Sequence, residues 1–290
     1  MSPQHSTTSF PIDRKESALV AIDTSAYWKS LCQTASPAKL AHFREAIIEH
    51  AYRYRLSEGD TAVDVGAHRA RHTVPMAQTV GLRGTVFAIE AAPEMQKKLR
   101  AQINHCGVDG IRKIVTYLDY ALSDKEGEAE FFYFPKQGSG LSSLSEPTNT
   151  PDNAEVVVEK VPLRRLDDLI DAGTQVRFIK ADIEGAEYHA FCGAKGIISG
   201  ARPMIAFEHQ ARRDAERFGY SEQDFFSLWR ELDYSLISVF GREITPANWG
   251  EPNAHDIFAV PNEQKDAHRE IVSLSIIRAI EDLLQAEDGA

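Results

Sequence analysis

Apolar and polar residues recur with two different patterns along the chain, and these patterns assign most of it to strands or helices. Short runs of β-branched and apolar residues bounded by Gly, Pro, Asn or Asp predict strands. Apolar residues recurring every three or four positions predict helices. The predicted strands are residues 61–65, 85–89, 113–118, 128–134, 155–161, 176–181, 201–207, 234–240 and 255–260.

The helical pattern begins at Ser36-Pro37, which is typical of an N-cap followed by proline in the first turn. Further helices are predicted after Gly66, over residues 93–105 and 166–170, from Ala186, and over residues 221–232 and 266–286. Strands that alternate with helices indicate a doubly wound, largely parallel sheet covered on both faces. The last two strands follow each other without a helix, which favours an antiparallel hairpin at one edge.

The same pattern suggests three parts. Residues 1–58 are expected to form an N-terminal helical cap, residues 59–262 the main Rossmann-like domain, and residues 263–290 a C-terminal amphipathic helix. The loop 136–154, rich in Gly, Ser, Thr, Asn and Pro, is too long for a simple turn and is either a lid or a disordered insertion. The C-terminal helix is expected to dock on its own domain rather than on a second subunit in a homodimer.

Charge and cysteine content narrow the function classes. A formal net charge of −11 argues against a nucleic-acid-binding protein, which needs clustered Lys and Arg. The three cysteines are far apart and form no C-x-x-C pair, which favours a reducing compartment over a disulfide framework or a zinc site. No apolar run approaches the roughly 18 residues that span a bilayer. These features favour a cytoplasmic enzyme or binding protein without a membrane partner.

Residues 61–90 predict a nucleotide-binding half-unit, in which ligands bind beyond the carboxyl ends of the strands. The strand at 61–65 ends in a turn at Gly66, and the next strand ends at Glu90, whose carboxylate can accept hydrogen bonds from a ribose diol. Only one glycine of a G-x-G-x-x-G fingerprint is present, which disfavours a dinucleotide and an NAD(P)-dependent oxidoreductase. S-adenosylmethionine needs no pyrophosphate loop, and Asp64 would then lie near its ammonium group. A turn glycine and a solvated acid explain these residues equally well.

A second group of polar residues follows the strands at 176–181 and 201–207. Asp182 and Glu184 are two residues apart at a strand end, which points them the same way. Glu208 and His209 are expected to face the same crevice, where an acid or imidazole can take the proton of an attacking hydroxyl. A divalent-metal site shared with Asp182 is the less favoured reading, and a structural role for His209 is an open alternative.

Two further stretches are candidates for ligand contacts. His68, Arg69, Arg71 and His72 form a basic group that either holds an acidic ligand, such as the methionine carboxylate, or is a solvated helix start. In the long loop, Gly140 offers a hinge, and the hydroxyls of Ser142 and Ser143 suit a polyhydroxylated substrate.

Five blocks in order resemble the FkbM-type methyltransferases over roughly residues 60–210. They are Asp64-Val65-Gly66-Ala67, residues 121–127, residues 140–144, Val161-Pro162-Leu163 with Leu166-Asp167, and residues 179–187; Glu90 lies between the first two. The resemblance implies a class I S-adenosylmethionine-dependent fold with a seven-stranded sheet. It also implies O-methylation of sugar or polyketide hydroxyls.

The resemblance assigns roles to individual residues. Asp64, Gly66 and Ala67 would bind the methionine part of the cofactor, and Glu90 the ribose. Asp119, Tyr120 and Ala121 would lie against adenine, and Asp182 and Glu184 would line the reaction centre. The chain departs from the family at His68-Arg69-Ala70, where Asn, an apolar residue and Gly are usual.

The preferred hypothesis is therefore methyl transfer from S-adenosylmethionine to a hydroxyl of a sugar or glycosylated small molecule. Asp182, Glu208 or His209 would take the hydroxyl proton. The altered turn at residues 68–70 motivates the main alternative, a protein that keeps the fold and cofactor site but has lost turnover.

Overall fold

Ten strands lie in the described part of the chain, and their side chains alternate between two faces. The computed structural model describes residue 31 and residues 33–133, 143–146, 155–251 and 255–288. The strands are β1 Thr61–Val65, β2 Thr85–Ile89, β3 Val115–Leu118, β4 Ala121–Leu122, β5 Gly127–Tyr133, β6 Val157–Arg164, β7 Val176–Ala181, β8 Met204–Glu208, β9 Tyr234–Ser238 and β10 Asp256–Pro261.

Seven of these strands form one sheet in the order β3-β2-β1-β7-β8-β10-β9. The pairs from β3 to β8 are parallel, whereas β10 runs antiparallel to both β8 and β9. The order reverses between β1 and β7, which places a ligand crevice at the carboxyl ends of these strands. The predicted fold class and its antiparallel edge pair are confirmed. Strands β4, β6 and β5 form a separate small sheet beside that crevice.

Helices cover both faces of the large sheet. They are α1 Pro37–Arg55, α2 Thr73–Val80, α3 Pro93–His105, α4 Ile111–Ile114, α5 Leu166–Leu169, α6 Glu187–Cys192, α7 Lys195–Ala201, α8 Arg212–Phe218, α9 Glu222–Glu231 and α10 Lys265–Asp288. As predicted, α1 begins after Ser36, whose side chain accepts a hydrogen bond from the Lys39 amide at 3.3 Å. Helix α9 begins with a complete capping box between Ser221 and Asp224.

Two apolar clusters sandwich the sheet. On what we call the first face, Ala62, Phe178, Ala206 and Phe258 pack against α1, α2, α3 and α10. On the second face, strand residues such as Ile179 and Ile205 pack against α5 to α9. The C-terminal helix packs on its own chain beside α1, and His50 Nε2 of α1 lies 2.8 Å from Asp282 Oδ2 of α10.

Three of the differences between the predicted and the observed elements have a local cause in the sequence. The strand predicted from residue 113 begins at Val115, because the apolar Ile111 and Ile114 belong to the short helix α4. The strand predicted from residue 201 begins at Met204, because α7 continues to Ala201. Helix α8 was not predicted, since its sequence is short and highly charged. Among the described residues, no helix is long and apolar enough to cross a membrane.

Candidate functional site

A cleft opens at the carboxyl ends of β1, β2 and β7. It contains about 730 Å³ of empty space, including its open mouth. Its apolar wall includes Val65, Ile89, Met95, Leu122, Phe131 and Leu144. Its polar residues and turn include Gly66, His68, Glu90, Tyr120, Asp182 and Glu184. Residues from both predicted clusters therefore meet in one cleft.

The turn after β1 depends on glycine. Gly66 has a φ of +77°, and a Cβ atom built on it would lie 2.0 Å from the carbonyl oxygen of Asp182. The Gly66 and Ala67 amides both donate to the carbonyl of Ile89, at 2.9 and 3.0 Å. The absence of a side chain at Gly66 thus lets the β1 turn pass against the β7 turn and form the floor of the cleft. Ala67 itself is buried and does not line the cleft.

The departure from the family pattern lies in the same turn. His68 and Ala70 have φ values of +48° and +63°, a region that favours Asn or Gly. The His68 side chain lines the cleft, and burial lowers its pKa, with a further decrease from Arg69. Ala70 is 2% exposed, and its side chain belongs to the first-face apolar cluster rather than to the cleft. The methyl group that replaces the usual glycine therefore does not enter the cofactor side of the turn.

Replacing Ala70 with glycine is expected to change the free energy of unfolding by less than about 1 kcal/mol. Relief of the left-handed backbone, roughly 1–2 kcal/mol, offsets a lost buried methyl group and greater unfolded-state entropy. The matched control is Ala77, which is fully buried and has the ordinary backbone of helix α2. Ala77→Gly relieves no backbone strain and should therefore cost roughly 1.5–2 kcal/mol of unfolding free energy. Urea denaturation measures both. Equal losses in the two variants would contradict strain at Ala70.

Glu90 is held at the wall of the cleft by backbone amides. Its Oε2 accepts from the His68 amide and its Oε1 from the Ala92 amide, both at 2.9 Å. Burial raises the pKa of Glu90, and these amide hydrogen bonds act in the opposite direction. A carboxylate has about four lone-pair positions, so each oxygen can still accept one more hydrogen bond. Two hydroxyl groups of a ligand in the cleft would satisfy that capacity.

Asp64 lies behind the cleft rather than in its wall. It is 1% exposed, and its Oδ2 accepts a hydrogen bond from the Thr73 hydroxyl at 2.6 Å. Its Oδ1 is buried without a hydrogen-bond partner among the described residues. A buried carboxylate oxygen of this kind suits a cationic neighbour, as expected for a residue near an ammonium group.

The three residues predicted to lie against adenine have different surroundings. Tyr120 and Ala121 line the cleft. Asp119 does not, because its carboxylate forms two hydrogen bonds with the Arg100 guanidinium, at 2.8 and 2.6 Å. The contact of Asp119 with adenine stays a prediction, and any such contact would be made by its backbone or after the ion pair opens.

Three carboxylates lie side by side across the ends of β7, β8 and β10, and we call them the acidic row: Asp182, Glu208 and Asp256. Glu208 and Asp256 are direct partners across the strands, and Asp182 follows Ala181, the partner of Phe207. All three therefore point to the first face. Burial raises the pKa of Asp256 to about 7, with Glu208 adding to the effect. Arg44 of α1 pairs with Asp256 at 2.7 Å.

Glu184 is an acid of the cleft whose pKa is displaced strongly toward neutral pH. Burial, followed by the charges of Asp182 and Glu208, raises its pKa to about 8. Its backbone has a φ of +58°, and its carbonyl accepts hydrogen bonds from the Ser143 hydroxyl and the Arg217 guanidinium, both at 3.2 Å. The turn is thereby fixed by two other segments of the chain. Such an acid can exchange a proton with a ligand near neutral pH.

His209 occupies a different environment from Glu208. As the next residue it points to the second face, where its ring stacks on Phe225 at a centroid distance of 4.2 Å. It is 1% exposed and does not line the cleft. Burial lowers its pKa to about 3, so the ring is neutral and its 3.6 Å approach to Asp214 is not an ion pair. The expectation that Glu208 and His209 share one crevice is therefore not met, because adjacent strand residues face opposite sides.

The loop predicted as a lid is described only in part. Gly140 and Ser142 lie outside the described residues. Ser143 is buried and pairs with Phe132 through two backbone hydrogen bonds, while Leu144 lines the cleft. Arg217 donates to the carbonyl of Ser145 at 3.2 Å as well as to that of Glu184. This part of the loop is thus attached to the turn that carries Glu184, which fits contact with a bound ligand.

Several charged residues of this site were not singled out from the sequence. Lys180 lies within the motif at residues 179–187 but was given no role. Arg44, Glu45, Asp256 and Arg217 belong to no sequence motif. Asp256 was detectable in principle, as an acid at the end of a predicted edge strand. The pairing of Arg44 with Asp256 joins residues far apart in the chain, and no local pattern indicates it.

The residues present fit S-adenosylmethionine better than a metal ion. The glycine turn leaves a space that a Cβ would fill, Glu90 has capacity for two hydroxyls, and an apolar wall suits a nucleobase. Within the described parts of the chain, no group of three or more His, Cys, Asp or Glu residues is arranged to hold a metal. The donor set of the cleft therefore matches a nucleoside ligand with an apolar base.

A sequence profile of a known family matches the chain, and several solved structures are similar to it. The sequence profile described as the Methyltransferase FkbM domain matches residues 64–236. Similar solved structures include an FkbM methyltransferase from Methylobacillus flagellatus, with a TM-score of 0.44, 20% identity and coverage of 71% of this chain and 44% of that one. Another is an S-adenosylmethionine-dependent O-methyltransferase from Thermotoga maritima, with a TM-score of 0.42, 14% identity and coverage of 75% and 64%.

The chain thus spans less than two thirds of the length of these two proteins, 44% and 64%. A comparison with curated proteins gives no significant match.

Proposed function

The chain belongs to the FkbM methyltransferase domain family, and from that premise we propose that it methylates a hydroxyl oxygen of a sugar or a glycosylated or polyketide-like small molecule. Membership of this family implies methyl transfer from S-adenosylmethionine. The observation that best supports the cofactor site is Glu90, which is anchored by two amides at the cleft wall and retains acceptor capacity for a ribose diol.

Different residues of the cleft would contact different parts of the cofactor. Glu90 would accept the ribose hydroxyls, and the apolar wall with Tyr120 would enclose adenine. Asp64 lies behind this wall, and its buried carboxylate would act on the methionine ammonium through its charge. When bound, the cofactor supplies an electrophilic methyl group on a sulfonium. The contribution of the protein is then mainly to align the acceptor oxygen and exclude water.

Glu184 is the best-placed group to take the acceptor proton. It lines the cleft, and its pKa of about 8 lies close to a neutral operating pH, as general-base catalysis requires. Asp182 also lines the cleft, together with Gly66 and Glu184, and would contact both the cofactor and the acceptor hydroxyl, while Glu208 lies behind it in the acidic row. His209 is buried on the second face and has a structural role.

Calorimetric titration with S-adenosylhomocysteine tests the cofactor assignment. We expect binding to the wild-type protein and a loss of at least about tenfold in affinity for Glu90→Ala, since charge-assisted hydrogen bonds contribute roughly 1.5–3 kcal/mol each. Glu94→Ala is the matched control, because Glu94 pairs with lysines on the surface of α3, with Nζ–Oε distances of 3.9 and 3.4 Å. No binding to the wild type, or equal affinity in the Glu90 variant, would refute the assignment.

The acceptor is best found without assuming its structure. Incubating the protein with methyl-labelled S-adenosylmethionine and extracts of its source organism should label one small hydroxylated molecule. Label on an amine or a thiol would contradict O-methylation. Cofactor binding with no labelled product from any extract or hydroxylated acceptor panel would favour the alternative of a protein without turnover.

A further inference from the structure

Lys180 is a buried cation directly behind the cleft. It is the second-last residue of β7, 6% exposed, and its Nζ lies 3.2 Å from Asp182 Oδ2. Asp182 lines the cleft and is about one third exposed, whereas Lys180 does not line it. Any influence of Lys180 on a ligand therefore passes through Asp182.

Acidic groups from three elements surround the Lys180 ammonium. Asp182 extends its own strand, Asp64 is its direct partner on β1, and Glu45 comes from α1. Burial alone would lower the pKa of Lys180, but these three charges raise it above its usual value. The ammonium thus stays protonated across the physiological range. On the cleft side, His68 also lies within its electrostatic reach.

We propose that Lys180 is a positioning residue of the methyltransferase site, orienting the Asp182 carboxylate at the wall of the cleft while balancing the charge of the buried Asp64. The proposal deepens the proposed function and rests on it. Lys180 in this role touches neither cofactor nor acceptor and acts through Asp182.

The arrangement is difficult to explain by stability alone. A buried ion pair costs desolvation, and well-packed apolar residues in its place are often as stable or more so. The neighbouring charges raise that cost, because Asp182 also borders Glu184, Glu208 and Asp256, whose pKa values are all raised by burial and by charges in this group. Without Lys180, protons would bind this group of acids more readily. A cation beneath Asp182 offsets part of this negative charge where the ligand binds.

Carboxyl NMR of ligand-free protein labelled at aspartate Cγ tests the proposal, with Asp182→Asn to assign the Asp182 signal. In Lys180→Gln we expect the Asp182 carboxyl signal at pH 7 to move from its wild-type position, because the carboxylate loses its partner at 3.2 Å. Lys180→Arg keeps the charge and should stay near the wild type. In calorimetry at pH 7, affinity for S-adenosylhomocysteine should fall about tenfold in Lys180→Gln and recover in Lys180→Arg.

The matched control is Lys195→Gln, which breaks a surface ion pair with Glu231 of 2.7 Å and should leave the Asp182 signal and the affinity unchanged. If Lys180→Gln does not fold, nitrogen NMR at pH 7 of the Lys180 ammonium in Asp182→Asn decides, since its signal should move once its partner at 3.2 Å is removed. An unmoved signal in either variant, or unchanged affinity in folded Lys180→Gln, overturns the proposal. Absent binding to the wild type would instead refute the cofactor assignment, and the ligand-free spectra would still decide the role of Lys180.

Discussion

Gly66→Ala is expected to destabilise the protein by roughly 3–5 kcal/mol, in the range of changes that break a special backbone position. The new Cβ would lie 2.0 Å from the Asp182 carbonyl oxygen and 3.2 Å from Ile183 Cγ2, on a backbone with φ +77°. Neither contact can be relieved by a side-chain rotation of the new residue. The β1 and β7 turns would have to separate, which opens the floor of the cleft. Urea denaturation and calorimetry with S-adenosylhomocysteine measure the two consequences.

Gly107→Ala isolates the close approach from the backbone strain. Gly107 has a φ of +73°, almost the same as Gly66, but no atom lies within 4 Å of its would-be Cβ. Its replacement should cost only the left-handed strain of roughly 1–2 kcal/mol and leave ligand affinity unchanged. If the two variants lose equal stability, the contact between the turns is not what requires glycine at position 66.

The order of elements was predictable because their patterns are local. Strand β7 was predicted with its observed bounds, Val176–Ala181, since a short run with β-branched and aromatic residues is bounded by polar turn residues. Errors arose where a second local pattern adjoined the first, as at Ile111 and Ile114, which extend the apolar run of β3 but form a helical turn. Helix α8 lacks a clear apolar stripe, and its place depends on contacts of Ala215 with the second-face cluster.

Site residues were predictable to the extent that strand ends determine them. Glu90, Asp182 and Glu184 follow strands of a parallel sheet, and all three line the cleft. Strand alternation also separates Glu208 from His209, an inference that the sequence already permits once β8 is placed. The contacts of Arg44 with Asp256 and of Arg217 with the Ser145 carbonyl depend on tertiary packing, so no sequence spacing indicates them.

The family match covers only part of the acidic row and its partners. The match spans residues 64–236 and includes Asp182 and Glu208, whereas Arg44, Glu45 and Asp256 lie outside it. Glu45 interacts with Lys180, and Arg44 pairs with Asp256, so charges from both sides of the matched region reach this edge of the sheet. The family motifs therefore describe only some of the charged groups at this edge.

Glu184→Gln should make the pH dependence of stability flatter, because the pKa of Glu184 is raised from 4.5 to about 8 in the folded protein. Between about pH 4.5 and pH 8, the folded state therefore keeps a proton on Glu184 that the unfolded state has released. Wild-type stability from this group is full below about pH 4.5 and is lost as the pH rises to about 8. Glutamine cannot ionise, so the variant should gain stability relative to the wild type over that interval, reaching roughly 5 kcal/mol for the full displacement of the pKa from 4.5 to about 8. Urea denaturation at several pH values measures the difference.

The same substitution should lower the rate of methyl transfer by about 10²–10⁴-fold, the usual contribution of a general base. The wild-type rate with the labelled acceptor should rise with pH and level off above about pH 8, where Glu184 is ionised, whereas the residual rate of Glu184→Gln should lack that rise. Glu216→Gln, which replaces an exposed acid on α8, should change neither the rate nor the pH dependence of stability. A rate loss without the altered stability profile would mean that Glu184 contacts the acceptor as an ordinary ionised acid. Unchanged rates would move the base to Asp182 or Glu208, the remaining acids at this edge of the sheet.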